Sequence, residues 1–361
     1  MSRKPFDPSE NIPVGEYSPL YGKRGSPQIY PRPITPRENG LLYFNHKKPY
    51  WIPLWGLDMH PFCLRINPDH LAVHLVADGE PPYEYQSNVM TGWFGVEWEF
   101  VPQVNGAMVK PGNPKLPDIT EWEKYIQMPD LDEMDWAGSA ERNREHFANS
   151  DRLRIIRCTC GLWERLISLM DVENAAVALI DEEQQEGVHR FLSALCDVYE
   201  DMIDRYASHF DFEILQMHDD WGTNRAPFFS LDTCREMILP YLKRVVNACH
   251  RNGLLFELHS CGKNEMLVPA MIEAGVDMWF GQGLNDYAML SEKYPDSCIT
   301  FGFIPPAVRE EADEEEIGRI ARELIETYKD RRVVFNTVDT DPRLVAKLYE
   351  EGRKYFAQFD E

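Results

Sequence analysis

Two short stretches of this chain combine side chains that bind metals or move protons. The first is His259-Ser260-Cys261-Gly262. An imidazole and a thiol two residues apart at the end of a strand project to the same side, so they can converge on one borderline cation, Zn2+ before others. A zinc site needs at least one more protein ligand. The candidates are His218, Asp220, Glu164, Cys160, Asp339 and, if its strand is bulged, Glu257. The plainer alternative is a small buried thiol before a turn glycine, beside a satisfied core histidine. The second stretch, His218-Asp219-Asp220-Trp221-Gly222, sets a titratable ring beside two carboxylates. Adjacent carboxylates push their pKa values apart, which suits substrate orientation or acid–base work by His218 and Asp220, with Trp221 lining the pocket. Its alternative is a strand end with one Asp capping the next loop.

Further candidates are weaker in pattern. Glu97, between Val96 and Trp98, is either a buried acid that takes part in catalysis or a solvent-facing strand residue. Gln282, Asn336 and Trp55 supply polar or aromatic lining for a substrate. The run Asp313-Glu314-Glu315-Glu316 matches the first turn of a helix, where the macrodipole favours acids, and needs no ligand.

The elements that must position these residues alternate from about residue 154 onward. Strands are expected at 154–158, 212–217, 254–259, 276–280, 299–303 and 332–336, separated by helices at 183–208, 231–252, 263–274, 284–294, 313–329 and 341–358. Within 231–252, Met237, Ile238, Tyr241, Leu242, Val245 and Val246 form one apolar stripe, and Pro240 predicts a kink. Ser230 is the expected N-cap, and Gly253 and Gly275 stand where helix C-termini fall. The first half is less regular, with a buried strand at 51–55, a half-exposed one at 93–100, and short helices and turns over 111–150. Repeated strand–helix units imply parallel strands. Six units plus two strands from the first half close an α/β fold of the (β/α)8 TIM-barrel type, residues 49–361, in which catalytic groups occupy the C-terminal strand ends. An open doubly wound sheet is the alternative, but no Gly-rich phosphate loop follows any strand. Residues 1–48, rich in Pro and Gly, form an N-terminal arm over a neighbouring surface or over a second copy of the chain in a homodimer.

Composition narrows the partners. The chain has 37 Lys+Arg against 60 Asp+Glu, a formal charge of −23, which disfavours nucleic acid and anionic membrane. No run of apolar residues is long enough to span a bilayer, and the first residues lack a signal-peptide core, so a cytoplasmic protein is expected. The eight cysteines are scattered, with no CxxC pair, and are expected to be free thiols.

The stretch from His218 to Gln282, running through HDDWG, FFSLDTCREMILPYLKRVVNACHRNG, LHSCG and MIEAGVDMWFGQ, resembles the uroporphyrinogen decarboxylase superfamily. That superfamily is built on a (β/α)8 barrel and includes the haem-pathway decarboxylase and zinc-dependent corrinoid methyltransferases such as the methylcobalamin:coenzyme M enzymes. The resemblance is good over about 150–358 and loose before that. The decarboxylases carry an arginine-rich segment, RPxWxMRQAGR, that binds the substrate's carboxylates. The corresponding run here, Tyr50 to His60, has no arginine, which points away from an octacarboxylate substrate. The methyltransferase branch uses a His-x-Cys pair as zinc ligands, matched by His259 and Cys261, plus a later Cys near the last strand. Here that region reads Phe335-Asn336-Thr337-Val338-Asp339, so the resemblance implies a carboxylate such as Asp339, or a residue of another strand, as third ligand. It further implies methyl transfer between methylcobalamin, held on a partner corrinoid protein, and a small acceptor or methoxylated donor. A decarboxylase of a tetrapyrrole or another carboxylate, and a non-catalytic corrinoid-binding protein, are the two alternatives.

Overall fold

A computed structural model describes residues 3–17, 27–67, 69, 89–101 and 106–359. Its centre is a parallel sheet of seven strands in the order β12-β11-β10-β9-β8-β7-β3. These are β3 (Met59–Phe62), β7 (Leu153–Cys158), β8 (Ile214–His218), β9 (Leu255–His259), β10 (Met278–Phe280), β11 (Thr300–Phe303) and β12 (Val333–Phe335). The expected strand at 51–55 is reduced to one bridge on the β12 edge: Leu54 pairs in parallel with Phe335, and Trp55 N–H donates to Phe335 O at 2.8 Å. The result is a β/α barrel of the TIM type, as the alternating pattern predicts.

All six expected strands of the second half are present, shifted by at most two residues at either end. The expected 93–100 strand lies elsewhere. It forms β5 (Glu97–Val101) in an antiparallel sheet with β4 (Val89–Thr91) and β6 (Gly106–Val109), because the turn at Gly95, with φ of +65°, folds the chain into a hairpin. The two-stranded ribbon β1 (Gly15–Glu16) and β2 (Gln28–Ile29) belongs to the arm.

The helices follow the predicted order. The first three are α1 (Pro36–Phe44), α2 (Trp136–Ala148) and α3 (Leu162–Met170). Then come α4 (Val172–Ala178), the long α5 (Glu182–His209) and the short α6 (Leu231–Thr233), which passes through a π-helical turn, Cys234–Ile238, into α7 (Leu239–Arg251). Pro240 stands in the first turn of α7, where its missing N–H costs nothing, and the wider π turn ahead of it absorbs the expected kink. Last are α8 (Val268–Ala274), α9 (Tyr287–Lys293), α10 (Glu314–Tyr328) and α11 (Pro342–Phe356). Ser230 caps α6 by accepting from Thr233 N–H, and Gly275 ends α8 in the left-handed region.

The described part of the arm rests on its own chain. Buried Glu10 accepts from Arg353 of α11 and from Tyr349 OH, and Arg3 donates to the backbone of Lys48 and Pro49. The arm also holds α1, which the sequence reading leaves as irregular chain. Its signal was the capping box: Thr35 Oγ1 accepts from Glu38 N–H while the Glu38 carboxylate accepts from Thr35 N–H.

Strand alternation sorts the core into two shells. Ile156, Cys158, Leu215, Met217, Phe256 and Leu258 face outward and pack with the helices. Leu153, Ile155, Ile214, Met278 and Val334 face inward and fill the base of the barrel together with Met59, Tyr43 and Phe44. Tyr43 OH both donates to Val333 O and accepts from Val333 N–H, fixing α1 across that base.

Candidate metal centre at the barrel mouth

Each inward row changes character as it climbs. On β7, β8 and β9 the next inward residues above the apolar base are Arg157, Gln216 and Glu257, which share one register. One pleat higher, His218 and His259 pair across β8 and β9, their rings stacked at 4.4 Å and 19°. A donor atom from each of His218, Asp220 and His259 lies within 4.8 Å of the other two. Cys261 Sγ stands 3.7 Å from His259 Nε2, so the His-x-Cys pair converges as its spacing predicts.

Neighbouring loops set the orientation of this cluster. Asp219, between His218 and Asp220, is fully buried and turns away: it accepts from Trp163 N–H at 3.2 Å, Glu164 N–H at 2.8 Å and Trp221 Nε1 at 2.8 Å. It thereby caps the first turn of α3, whose own N-cap, Gly161, has no side chain to do so. A Cβ on Gly161 would stand 2.4 Å from Asp219 Cβ, so only glycine fits. The capped turn presents Glu164, whose carboxylate oxygens lie 3.2 and 3.3 Å from His218 Nδ1. Burial pushes Glu164 up to about 8. Burial alone would lower His218, but the charges of Glu164 and Asp220 outweigh it and hold the ring up at about 9. His259 is driven well below the ordinary histidine value by burial, by His218 and by Arg157, and so is neutral, the form that binds metals. Burial and the Asp220 carboxylate raise the Cys261 thiol.

The loop after β9 is fastened on both sides. Asp220 Oδ1 accepts from Cys261 N–H at 2.6 Å, Ser260 Oγ from Trp221 N–H at 3.0 Å, and Gln282 Oε1 from Gly262 N–H at 3.0 Å. Asn264 and Asn285 tie the same loop through Cys261 O and Gly262 O. Gly262, at φ of +94°, lies against Gly222 so closely that a Cβ would meet its carbonyl carbon at 2.3 Å.

Several expected site residues stand elsewhere. Glu97 is solvent-exposed on β5, because the alternation buries Val96 and Trp98 instead. Asp339 is exposed in the turn after β12, apart from the cluster; the carboxylate beside the two histidines is that of Asp220, another of the expected third-ligand candidates. Trp221 is completely buried between Asp219 and Phe229, which makes it a prop for the loop and not a pocket wall. Gln282 is spent on Gly262 N–H, and Asn336 Oδ1 accepts from Val338 N–H within its own turn. Trp55 is half-buried at the barrel closure, its ring 4.6 Å from that of Phe280, the register partner of His259. Glu164 enters as the partner of His218, not as a ligand. The sequence reading missed Arg157 and Gln216, although period-two counting back from His218 and along β7 would have placed both inside.

Fold and cluster together define a β/α-barrel enzyme with its polar groups at the C-terminal strand ends. The chain belongs to the uroporphyrinogen decarboxylase family, whose model, Uroporphyrinogen decarboxylase (URO-D), matches residues 93–354. Among solved structures it is similar to a methyltransferase from Methanosarcina mazei, at 14% identity and a TM-score of 0.60, covering 90% of this chain and 99% of that one. A sugar phosphate isomerase/epimerase from Parabacteroides distasonis aligns at 10% identity and a TM-score of 0.33, over 60% of this chain and 75% of its own. No curated protein sequence matches the chain at a significant level. Among the described residues, no helix is long and apolar enough to cross a membrane.

Proposed function

We propose that this protein is a methyltransferase that moves a methyl group between a corrinoid, carried by a partner protein at the barrel mouth, and a small methoxylated compound. The observation that carries this reading is the convergence of His218, Asp220 and His259 within 4.8 Å. Two imidazoles and a carboxylate, with a thiol beside them, suit Zn2+. The similarity in fold to the Methanosarcina mazei methyltransferase, over 99% of that chain, supports the methyltransferase reading.

His218, Asp220 and His259 would hold the ion, with Cys261 at its edge. Glu164 at His218 Nδ1 fixes the ring and directs Nε2 inward, the outer-shell arrangement common at zinc-binding histidines. A cation bound there would supply Lewis acidity to an oxygen substituent of the substrate. The chain's own contribution is orientation: Asp219 holds Glu164, Glu164 holds His218, and Asp220 holds Cys261 through its backbone N–H. With a methoxylated donor, the methyl–oxygen bond would break, its carbon passing to cob(I)alamin on the partner protein and the released oxygen taking a proton. The absence of a membrane-spanning helix among the described residues and the strong negative charge accord with a cytoplasmic enzyme.

Elemental analysis of the native protein and of His259→Ala, followed by formation of methylcobalamin from cob(I)alamin and methoxylated donors, tests the proposal. Stoichiometric zinc lost in the variant, together with methylcobalamin formation, is the expected result. Release of CO2 from uroporphyrinogen without any methyl transfer would overturn it.

A further inference from the structure

The buried arginines of this fold have acceptors, with one exception among the described residues. Arg165 meets Asp69, Arg353 meets Glu10, Arg154 meets Glu213 and Asp211, and Arg3 donates to backbone carbonyls. Arg152, just ahead of β7 and 1% exposed, meets none: its buried Nε and Nη1 have no hydrogen-bond partner among the described residues. The two acids whose charges reach it are spent elsewhere. Asp151 accepts from Tyr17 OH, and Asp58 accepts from Trp51 Nε1 and Leu54 N–H. The Arg152 guanidinium instead lies over the Tyr17 ring, 4.0 Å from its centre. Residues 18–26, which follow Tyr17 in the chain, include Lys23 and Arg24 and no acid, and so carry no counter-charge. A charge buried in this way is costly unless something neutralises it.

Arg152 lines a cavity of about 400 Å³ together with Tyr17 of the arm, His60 of β3, and His146 and Asn149 at the end of α2. That volume holds a small molecule. His60 Nδ1 is engaged with Ser150 Oγ at 2.9 Å, while its Nε2 makes no hydrogen bond among the described residues. The rim charges are matched or solvated: Arg144 holds Glu141, Asp135 holds Arg142 at 2.9 Å, and Glu145 is exposed. Burial lowers Arg152 to about 10, which leaves it charged at neutral pH, and its charge helps burial to keep His60 neutral.

We infer that this cavity binds a small oxyanionic molecule through its phosphate or carboxylate group, with Arg152 as the anchor and His60 as a second donor. A planar guanidinium meets either group in paired hydrogen bonds, and the Tyr17 ring fixes the plane from which they are offered. In a chain of net charge −23, an anion needs a local cation of this kind to enter. The cavity lies at the start of β7, a strand of six residues whose far end faces the metal cluster, roughly 20 Å away along the strand. The anion site is therefore separate from that centre and stands whatever chemistry the centre performs.

Thermal denaturation of the full-length protein at neutral pH, with inorganic phosphate or succinate replacing sodium chloride at constant ionic strength, tests the inference. A ligand that binds only the folded state raises the midpoint in step with its concentration. At least one of the two anions is expected to do so, and which one does assigns the group as phosphate or carboxylate. Arg152→Gln should weaken the response at least tenfold in anion concentration. Asn149→Asp, which sets a carboxylate at the exposed rim without touching the core, should weaken it at least threefold. No midpoint rise with either anion, a rise that survives Arg152→Gln, or a response unchanged by Asn149→Asp would each overturn the inference. If Arg152→Gln does not fold, the wild type and Asn149→Asp decide the matter.

Discussion

The lower and upper halves of the barrel interior are built from the same three strands and do opposite things. At the base, Leu153 and Ile155 of β7, Ile214 of β8 and Leu255 of β9 meet Met278 and Val334 and exclude water. Two residues further along each strand, Arg157, Gln216 and Glu257 replace them, then His218 and His259. Burial that stabilises the apolar residues, by roughly 1.5–3 kcal/mol for each large side chain, is a cost for the polar ones. The polar upper half bears that cost: burial pushes Glu257, and Glu164 on α3 beside His218, up to about 8. Stability and chemistry are separated along the barrel axis, one pleat at a time.

That contrast makes the largest expected effect a purely structural one. Ile214→Ala should lower unfolding free energy by about 2–5 kcal/mol, because it opens a cavity where α1 closes the base. Denaturant titration measures this, and bound zinc per folded molecule should not change. Loss of zinc in the folded variant would show that the two halves are coupled after all. His259→Ala should act in reverse, weakening zinc binding at least a hundredfold, about 2.7 kcal/mol, with little change in the denaturation midpoint. A competition assay with a chromophoric chelator reads the affinity.

Smaller effects sharpen the boundary. Glu164→Gln removes the carboxylate that orients His218 without emptying the site, so zinc affinity should fall by about 10–100-fold, less than for the ligand itself. An unchanged affinity would mean that Glu164 is present only to fill space. The last prediction concerns the outer wall. His60 on β3 is held to about 2 by burial and by the positive charges of Arg152, His146 and Arg154. A histidine kept neutral in the fold but protonated when unfolded makes the unfolded state bind more protons below pH 6.5. Stability is then lost as pH falls through that value, by at most about 1.4 kcal/mol per pH unit. His60→Phe should flatten this slope between pH 6.5 and 5, and an identical slope in variant and wild type would refute the assignment.

Neighbouring residues show how differently the site could be read in advance. His259 and Cys261 were legible because their spacing alone places them on one side of a strand end, and their 3.7 Å approach follows from it. Asp219 and Asp220 look equivalent in sequence. One is consumed in capping α3, an element 55 residues away in the chain, and the other faces the histidines. Glu164 and Arg165 are likewise adjacent and both buried, yet Arg165 is paired with Asp69 at 2.6 Å beneath Phe94, while Glu164 serves the site. Asp339 was expected at the cluster because it follows the last strand, but the turn after β12 carries it to the surface.

The sequence by itself determined the alternation of strand and helix from Leu153 to Phe356, the parallel barrel and the strand ends where polar groups gather, because these depend on hydrophobic period and local caps. Only the tertiary structure decided which acid meets which histidine, that α1 seals the base, and that a polar layer with an unpaired Glu257 oxygen lies under the site. Those outcomes depend on the register between strands far apart in the chain, and no local pattern encodes that register.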